Sequence, residues 1–120
     1  VLVNPLQPLA TAAVYRQFDA MGLGEKFVAR AAPTWGSAGE ALAGAACLGN
    51  DLEAAARVLM PAIADVGAAL ARDARVRHAA LSGSGATMFG LTISPEDAAS
   101  LAADLGALHP HWWVRGARFG

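Results

Sequence analysis

The sequence predicts an α+β fold with a four-stranded antiparallel sheet, and three observations support this class. Two apolar, strand-like segments flank a loop of small residues at 82–87, which is typical of a hairpin. Residues 112–119 have the two-residue period of a strand, and segments of helical period separate these strands from an apolar run at residues 1–3. The order strand, helices, strand, strand, helix, strand is that of the ferredoxin-like split βαβ sandwich, with helices on one face of the sheet.

The first half of the chain is predicted to be mostly helical. After the strand at residues 1–3, apolar residues recur at helical spacing from Thr11 as far as Met21, with Thr11 as the expected N-cap. Residues 25–39 combine proline, tryptophan and glycine and are expected to form an irregular covering loop. A further helical segment is expected at about residues 40–48.

Two helices in tandem are predicted to follow. Asn50 and Glu53 have the spacing of a capping box, which explains both side chains as the start of a helix with no further role. Pro61 marks a second start, because proline is tolerated in the first turn of a helix and not in its middle. The second of these helices is expected to end at Asp73.

The hairpin strands are expected at residues 76–81 and 87–93. Ser94, followed by Pro95 and two acidic residues, is a strong start for the next helix, because the serine caps it and the acids face the positive end of its dipole. Pro110 ends that helix, and the last strand follows it.

Composition and charge limit the partners of the chain. At 120 residues it is expected to form one domain. A net charge of -1 with a pI near 6.3 provides no basic surface, which argues against a nucleic-acid partner. The apolar segments are interrupted before they reach the length of a bilayer span, so no membrane partner is expected.

Cysteine and histidine usage predicts no metal site. Cys47 stands alone, which excludes an intrachain disulfide, fits a reducing, cytoplasmic setting and predicts a small buried hydrophobe. The three histidines, His78, His109 and His111, are too scattered along the sequence to predict a ligand set.

The apolar content predicts a face that another part of the protein covers. Hydrophobic residues make up 55% of the chain and charged residues 16%, against a usual charged share of about 25%. Because the sequence opens at Val1 inside a strand-like run, we interpret the chain as a fragment whose N-terminal part supplies that cover. Alone, it is expected to expose an apolar patch or to self-associate.

The segment at residues 82–87 is the strongest candidate for a binding site. Two glycines alternate with two serines there and provide backbone N–H groups, hydroxyls and no bulky side chain, a chemistry that suits a phosphate. The alternative is a flexible hairpin loop without a ligand, and the segment by itself does not decide between the two. The candidate phosphate-loop residues are Ser82, Gly83, Ser84, Gly85, Ala86 and Thr87.

In its motifs the chain resembles the C-terminal domain of the GHMP kinases, small-molecule kinases named for galactose, homoserine, mevalonate and phosphomevalonate. The stretches that carry the resemblance are spread over most of the chain in the family's order. They are Asn4-Pro5 with Thr11-Ala12-Ala13-Val14-Tyr15, then Gly49-Asn50-Asp51-Leu52-Glu53, then Ser82-Gly83-Ser84-Gly85-Ala86-Thr87 with Phe89-Gly90. The resemblance implies that residues 1–120 are such a C-terminal domain, without the N-terminal ATP-binding domain.

For the binding residues, the resemblance implies that residues 82–87 are the family's third conserved motif, a glycine loop that borders the active site near the phosphates. It also implies that Thr11 and Tyr15 line the substrate pocket, where the aromatic ring stacks on the cytosine of the substrate. One helical turn separates these two residues, so they share a helix face. The residues alone leave another interpretation open, in which Thr11 only caps the helix and Tyr15 fills the core.

For the activity, the resemblance implies transfer of the γ-phosphoryl group of ATP to a hydroxyl of a cytidine-diphosphate-linked polyol in non-mevalonate isoprenoid biosynthesis. In this family ATP, Mg²⁺ and the catalytic Asp and Lys belong to the N-terminal domain. The chain alone is therefore expected to contain no catalytic or metal-binding residue, to bind neither cofactor and to be inactive. Two alternatives stay open: another acceptor, such as homoserine or a mevalonate derivative, and a non-catalytic ferredoxin-like module that binds a small regulatory ligand in its hairpin loop.

Overall fold

The computed structural model describes residues 1–26, 28–29 and 31–118. Within them the chain forms four strands, which are β1 (Leu2–Asn4), β2 (His78–Leu81), β3 (Met88–Leu91) and β4 (Trp113–Arg115). The helices are α1 (Thr11–Ala20), α2 (Ala38–Leu48), α3 (Glu53–Leu59), α4 (Ala62–Arg72) and α5 (Pro95–Leu108). The order of the elements is the predicted one, with β1 first, the helices α1 to α4 before the β2–β3 hairpin, and α5 before β4.

The four strands form one sheet in the order β2-β3-β1-β4, and every neighbouring pair is antiparallel. Val3 in the central strand β1 pairs with Met88 of β3 on one side and with Val114 of β4 on the other. Helices connect β1 to β2 and β3 to β4. This is the topology of the ferredoxin-like split βαβ sandwich, so the predicted fold class is confirmed.

The core lies between one face of the sheet and helices α1, α3, α4 and α5. Successive side chains of a strand point to opposite faces, and this alternation directs Val3, Leu81 and Met88 to the core face. The largest fully buried side chains come from the sheet and from three of these helices: Val3, Val14, Ile63, Val66, Leu70, Leu81, Met88 and Leu101. Removing this apolar surface from water is what holds the helices on the sheet.

Helix α2 departs from the predicted arrangement, because it lies over the opposite face of the sheet. A cavity of about 640 Å³ is lined by α2 on one side and by Phe89 and Leu91 on the other, and these two side chains alternate with the core-facing positions of β3. No residue of α2 is buried. Cys47 in this helix is exposed, so the prediction of a buried cysteine is wrong.

The boundaries of the last two elements test the local sequence signals. The predicted start of α5 is confirmed, since the Ser94 hydroxyl accepts a hydrogen bond from the backbone N–H of Asp97 at 3.0 Å. Strand β4 is shorter than the predicted strand at residues 112–119. Trp112 and Val114 pack against the core and Trp113 is exposed, so the predicted two-residue period is confirmed there, whereas the predicted end of the strand at residue 119 lies outside the described residues.

Ion pairs lie in the segment between α4 and β2, near the open end of the β2–β3 hairpin. The Arg75 guanidinium donates two hydrogen bonds to Asp73, at 2.8 and 2.7 Å. It also pairs with Asp104 at 2.9 Å and donates to the Ser100 hydroxyl at 2.6 Å. Hydrogen bonds from Arg75 lower the pKa of Asp73 to about 2. This network joins the end of α4 to α5.

Large apolar side chains stay exposed at several places on the surface. Val28 is 69% exposed, Ile93 62% and Leu108 73%. These exposed side chains come from different parts of the chain, so the apolar patch and self-association both stay predictions. In the part of the chain that the structure describes, no helix combines the length and the apolar character needed to cross a lipid bilayer.

Candidate functional site

The loop at residues 82–87, called the glycine loop below, joins β2 to β3 as a tight turn. The Ser82 N–H donates to the Thr87 carbonyl at 2.9 Å, and the Gly85 N–H donates to the Ser82 carbonyl at 3.0 Å. Gly83 has a φ of +58° and Gly85 a φ of +88°, a region that favours glycine. The two glycines are therefore required by the backbone path of the turn.

The two glycines face different surroundings. A Cβ atom on Gly83 would meet nothing within 4 Å, whereas one on Gly85 would lie 3.1 Å from Leu81 Cδ1, 3.2 Å from Leu9 Cδ2 and 3.4 Å from Ile63 Cδ1. The open approach that the sequence predicts for the whole loop is thus present at Gly83. At Gly85 the absence of a side chain makes room for the core instead.

The other residues of the glycine loop divide in the same way. Ser82 is exposed, Ser84 and Thr87 are half-buried, and Ala86 is buried in the core. The loop therefore presents its first half to solvent and anchors its second half in the protein.

Thr11 joins helix α1 to the glycine loop. Its Oγ1 lies 2.9 Å from Ser84 Oγ, at hydrogen-bond distance. Thr11 is not the N-cap that the sequence predicts, because the helix is capped one residue earlier, where the Ala10 carbonyl accepts from the N–H groups of Ala13 and Val14. The Thr11 hydroxyl therefore does not cap the helix and contacts the loop.

Tyr15 lies one helical turn after Thr11 and is 53% exposed. The interpretation of Tyr15 as a core residue is therefore wrong, and the buried position of α1 is Val14. The ring stands on the same helix face as Thr11, whose hydroxyl meets the glycine loop. Its role in substrate binding stays a prediction.

Asn50 contacts the glycine loop, a role that the sequence reasoning missed. Its Nδ2 donates to the carbonyls of Leu81 and Gly83, both at 2.8 Å, and its Oδ1 accepts from the Leu52 N–H at 2.9 Å. The N-cap of α3 is Leu52, without a side-chain cap. The predicted capping box between Asn50 and Glu53 is therefore wrong.

Glu53 holds the same end of the loop from the first residue of α3. Its Oε2 accepts from the Leu81 N–H at 3.0 Å, while its Oε1 pairs with Arg57 at 2.6 Å. Both backbone polar groups of Leu81 are thus bound by Glu53 and Asn50. The one signal in the sequence for this pair was that residues 49–53 carry part of the family resemblance.

Asn4 fixes the far end of the glycine loop to strand β1. Its Nδ2 donates to Thr87 Oγ1 at 2.9 Å, and its Oδ1 accepts from the Leu6 N–H at 2.7 Å. This contact, too, was absent from the sequence predictions, although Asn4 is part of the stretches that carry the resemblance. The loop is therefore held at its start by Asn50 and Glu53 and at its end by Asn4.

The chemistry of this site is that of neutral hydrogen-bond donors. The glycine loop has no charged residue, and hydroxyls from Ser84 and Thr11 lie side by side at its open edge. Across the described residues, no group of three or more His, Cys, Asp or Glu side chains is arranged to hold a metal ion. Such a site can bind and orient an anionic group, and none of residues 82–87 has an acidic or basic side chain that could move a proton.

Comparison with known families identifies the class of the protein. The model for the C-terminal domain of the GHMP kinases matches residues 27–111, and the chain belongs to this family. The matched range contains the glycine loop, Asn50 and Glu53, whereas Thr11 and Tyr15 lie just before it.

Curated relatives narrow the comparison. The chain is 48% identical to the 4-diphosphocytidyl-2-C-methyl-D-erythritol kinase of Cereibacter sphaeroides over 86 residues, which cover 72% of the chain and 31% of that protein. It is 41% identical to the enzyme of the same name from Parvibaculum lavamentivorans, over 95% of the chain and 39% of that protein. It is 38% identical to a Caulobacter enzyme of the same name, over 100% of the chain and 42% of that protein. The chain thus spans about two fifths, or less, of the length of these relatives.

Proposed function

We propose that the chain is the acceptor-binding part of a kinase that transfers the γ-phosphoryl group of ATP to a hydroxyl of 4-diphosphocytidyl-2-C-methyl-D-erythritol, a step of non-mevalonate isoprenoid biosynthesis. Membership of the GHMP family and identities of 38 to 48% to kinases named for this acceptor support the proposal. The structural observation on which the proposal depends is the contact of Thr11 with Ser84, which brings helix α1 and the glycine loop to one site.

The geometry gives each part of the acceptor a partner. The exposed ring of Tyr15 is available to stack on the cytosine, and the hydroxyls of Thr11 and Ser84 can donate to phosphate oxygens. The open side of Gly83 lets a ligand approach the backbone closely. In phosphoryl transfer the protein acts mainly by positioning and by stabilising charge, so a site without a proton-transferring group can still control the rate.

ATP and Mg²⁺ belong to another part of the proposed enzyme. The relatives are more than twice as long as the chain, which supports a separate N-terminal ATP-binding domain that completes the cleft. The donors of the glycine loop suit phosphate rather than Mg²⁺, so no step of the proposal is assigned to a metal held by this chain. By itself, a chain covering residues 1–120 is expected to be inactive. A cytoplasmic location completes the proposal, supported by the lone Cys47.

The acceptor is tested in the complete polypeptide that contains this chain. ADP release is measured with ATP, Mg²⁺ and one acceptor at a time: 4-diphosphocytidyl-2-C-methyl-D-erythritol, homoserine or mevalonate. We expect turnover with the cytidine compound alone. Turnover with homoserine or mevalonate instead would show that the protein is a GHMP kinase with another acceptor. The absence of turnover with all three would refute the kinase proposal in favour of a non-catalytic module.

The stacking role of Tyr15 gives a sharper test. Tyr15→Ala is expected to weaken binding of cytidine diphosphate about 5- to 150-fold, because base stacking on an aromatic side chain contributes about 1–3 kcal/mol. Tyr15→Phe is the control, since it keeps the ring and loses only the hydroxyl. Titration calorimetry on the complete polypeptide measures both. Equal affinity of Tyr15→Ala and the wild type would remove Tyr15 from the site.

A further inference from the structure

The start of the glycine loop is held by side chains from a different part of the sequence. Leu81 is the last residue of β2, a strand at the edge of the sheet. Its N–H donates to Glu53 and its carbonyl accepts from Asn50, which also binds the carbonyl of Gly83. Asn50 and Glu53, three positions apart, therefore fix the carbonyls of Leu81 and Gly83 and the N–H of Leu81 in the backbone that enters the loop.

This arrangement determines which way the peptide groups of the loop point. In a trans peptide the C=O and the following N–H point in opposite directions. The Leu81 carbonyl points to Asn50, and the N–H of Ser82 accordingly points away from it, where it meets the Thr87 carbonyl at 2.9 Å. The Gly83 carbonyl also points to Asn50, so the N–H of Ser84 points away from it as well.

The Ser84 N–H is the group that this orientation leaves available. Within residues 1–26, 28–29 and 31–118 it has no hydrogen-bond acceptor, and it belongs to the residue whose hydroxyl contacts Thr11. The carbonyls that would repel an anion are meanwhile bound to the Asn50 amide. The loop consequently offers donors to a ligand, and the carbonyls of Leu81 and Gly83 are turned away from it toward Asn50.

We infer that Asn50 and Glu53 are positioning residues for phosphoryl transfer, which act through the glycine loop by holding the Ser84 N–H and hydroxyl toward the acceptor's diphosphate or the transferred group. The inference rests on the proposed function. It assigns to these two residues more than the start of α3, because the bonds to Leu81 and Gly83 cross about 30 residues of sequence and contribute nothing to the helix.

Asn50→Asp separates the two roles of Asn50. The carboxylate can still accept from the Leu52 N–H, which preserves the turn into α3, but it has no Nδ2 donor and repels the two carbonyls. In the complete polypeptide, kcat/KM for 4-diphosphocytidyl-2-C-methyl-D-erythritol is expected to fall on the order of 100-fold, as for a catalytic group misplaced by about 1 Å. The KM for ATP is expected to stay unchanged, since ATP is assigned to the other domain.

The matched control is Asp51→Asn, which makes the reverse change at the next residue. Asp51 is exposed, and its side chain makes no hydrogen bond within the described residues. The Asp51→Asn variant is expected to alter kcat/KM less than about 2-fold. If Asn50→Asp and Asp51→Asn have the same activity, the positioning role of Asn50 is refuted.

Glu53 is tested by three variants. Glu53→Ala removes the acceptor for the Leu81 N–H and is expected to lower kcat/KM about 10-fold or more, because the backbone that enters the loop loses a hydrogen bond to a charged group, which is stronger than a neutral one. Glu53→Gln keeps an acceptor and is expected to restore most of the activity. Arg57→Ala breaks the ion pair with Glu53 without touching the loop and is expected to behave as the wild type. Wild-type activity of Glu53→Ala would overturn its role.

A measurement without turnover keeps this inference distinct from the proposed function. In the complete polypeptide, NMR is expected to find slow exchange of the Asn50 side-chain amide protons and, in Asn50→Asp, large shifts of the Gly83 and Ser84 amide signals with unchanged helix content by circular dichroism. Fast exchange in the wild type would overturn the inference even if the enzyme is active. Absence of kinase activity in the wild type, with slow exchange, would overturn the proposed function and with it the catalytic part of the inference.

Discussion

Different kinds of interaction lie beside the two ends of the β2–β3 hairpin. At the open end, Arg75 is surrounded by Asp73, Asp104 and a serine hydroxyl, so the charges of this corner are paired within the chain. At the turn end, the glycine loop is held by side-chain amides, by the Thr11 hydroxyl and by the Glu53 carboxylate. The Ser84 N–H has no hydrogen-bond acceptor there among the described residues. At the open end the Arg75 guanidinium is paired within the chain, whereas at the turn end the Ser84 N–H is available to donate to a ligand.

The two helix starts beside these ends make the same contrast. Ser94 precedes α5 with an acid three residues later, and Asn50 has the same relation to Glu53 at the start of α3. Ser94 caps its own helix at 3.0 Å. Asn50 binds the Leu52 N–H before α3, and its amide donor reaches across to β2 and the glycine loop, as the Glu53 carboxylate reaches β2. A helix-start pattern near a candidate site can therefore serve the site as well as the helix.

The largest expected effect tests the division of the glycine loop. Gly85→Val is expected to lower the free energy of unfolding of the chain by about 2–6 kcal/mol, the sum of about 1–3 for a strained backbone and about 1–3 for overpacking against Leu81 and Leu9. Gly83→Val meets only the backbone strain, about 1–3 kcal/mol, because its side is open. Urea denaturation measures both, and equal losses would show that the turn end is not divided into an open and a packed half.

A smaller effect is expected at the start of α5. Ser94→Ala removes the cap from the Asp97 N–H and is expected to cost about 1 kcal/mol of unfolding free energy. Ser94→Asp keeps an acceptor and is expected to restore the loss. Kinase activity of the complete polypeptide should not change in either variant. A fall in activity as large as that of Asn50→Asp would abolish the contrast between the two helix starts.

The smallest effect is expected at the open end, and it depends on pH. The pKa of Asp73 is lowered to about 2 from an ordinary value of 3.8, so the ionised group stabilises the folded state above pH 3.8 and loses this contribution as the pH falls through about 2. Asp73→Asn is therefore expected to be less stable than the wild type at neutral pH, with a difference that shrinks between pH 4 and 2. Thermal unfolding over this range measures it. A difference independent of pH would contradict the pairing with Arg75.

Sequence patterns predicted the fold to a large extent. The segments that became β2 and β3, the cap of α5 and the alternation of Trp112, Trp113 and Val114 were all readable, since each depends on residues a few positions apart. The face of the sheet on which α2 packs could not be predicted, and the prediction that Cys47 in this helix is buried was wrong. A weakly amphipathic, alanine-rich helix does not specify which surface it will cover.

The candidate site was predicted in part. The glycine loop and Thr11 were singled out as site residues, and the structure brings them together through the hydroxyls of Thr11 and Ser84. Asn4, Asn50 and Glu53 were missed as contacts of the loop. For Asn50 and Glu53 the reason is physical: the same amide and carboxylate atoms can cap a helix or bind a distant backbone, and both uses leave the same pattern in the sequence.

The sequence by itself determined the order of strands and helices, the place of the tight turn and the family, because these depend on periodicity, turn residues and motifs within short stretches. Only the tertiary structure decided the partners of Thr11, Asn50 and Glu53, which lie 28 to 73 residues away along the chain. Hydrogen-bonding side chains choose among many partners of similar strength, and the choice is made when packing of the apolar core brings one of them within about 3 Å.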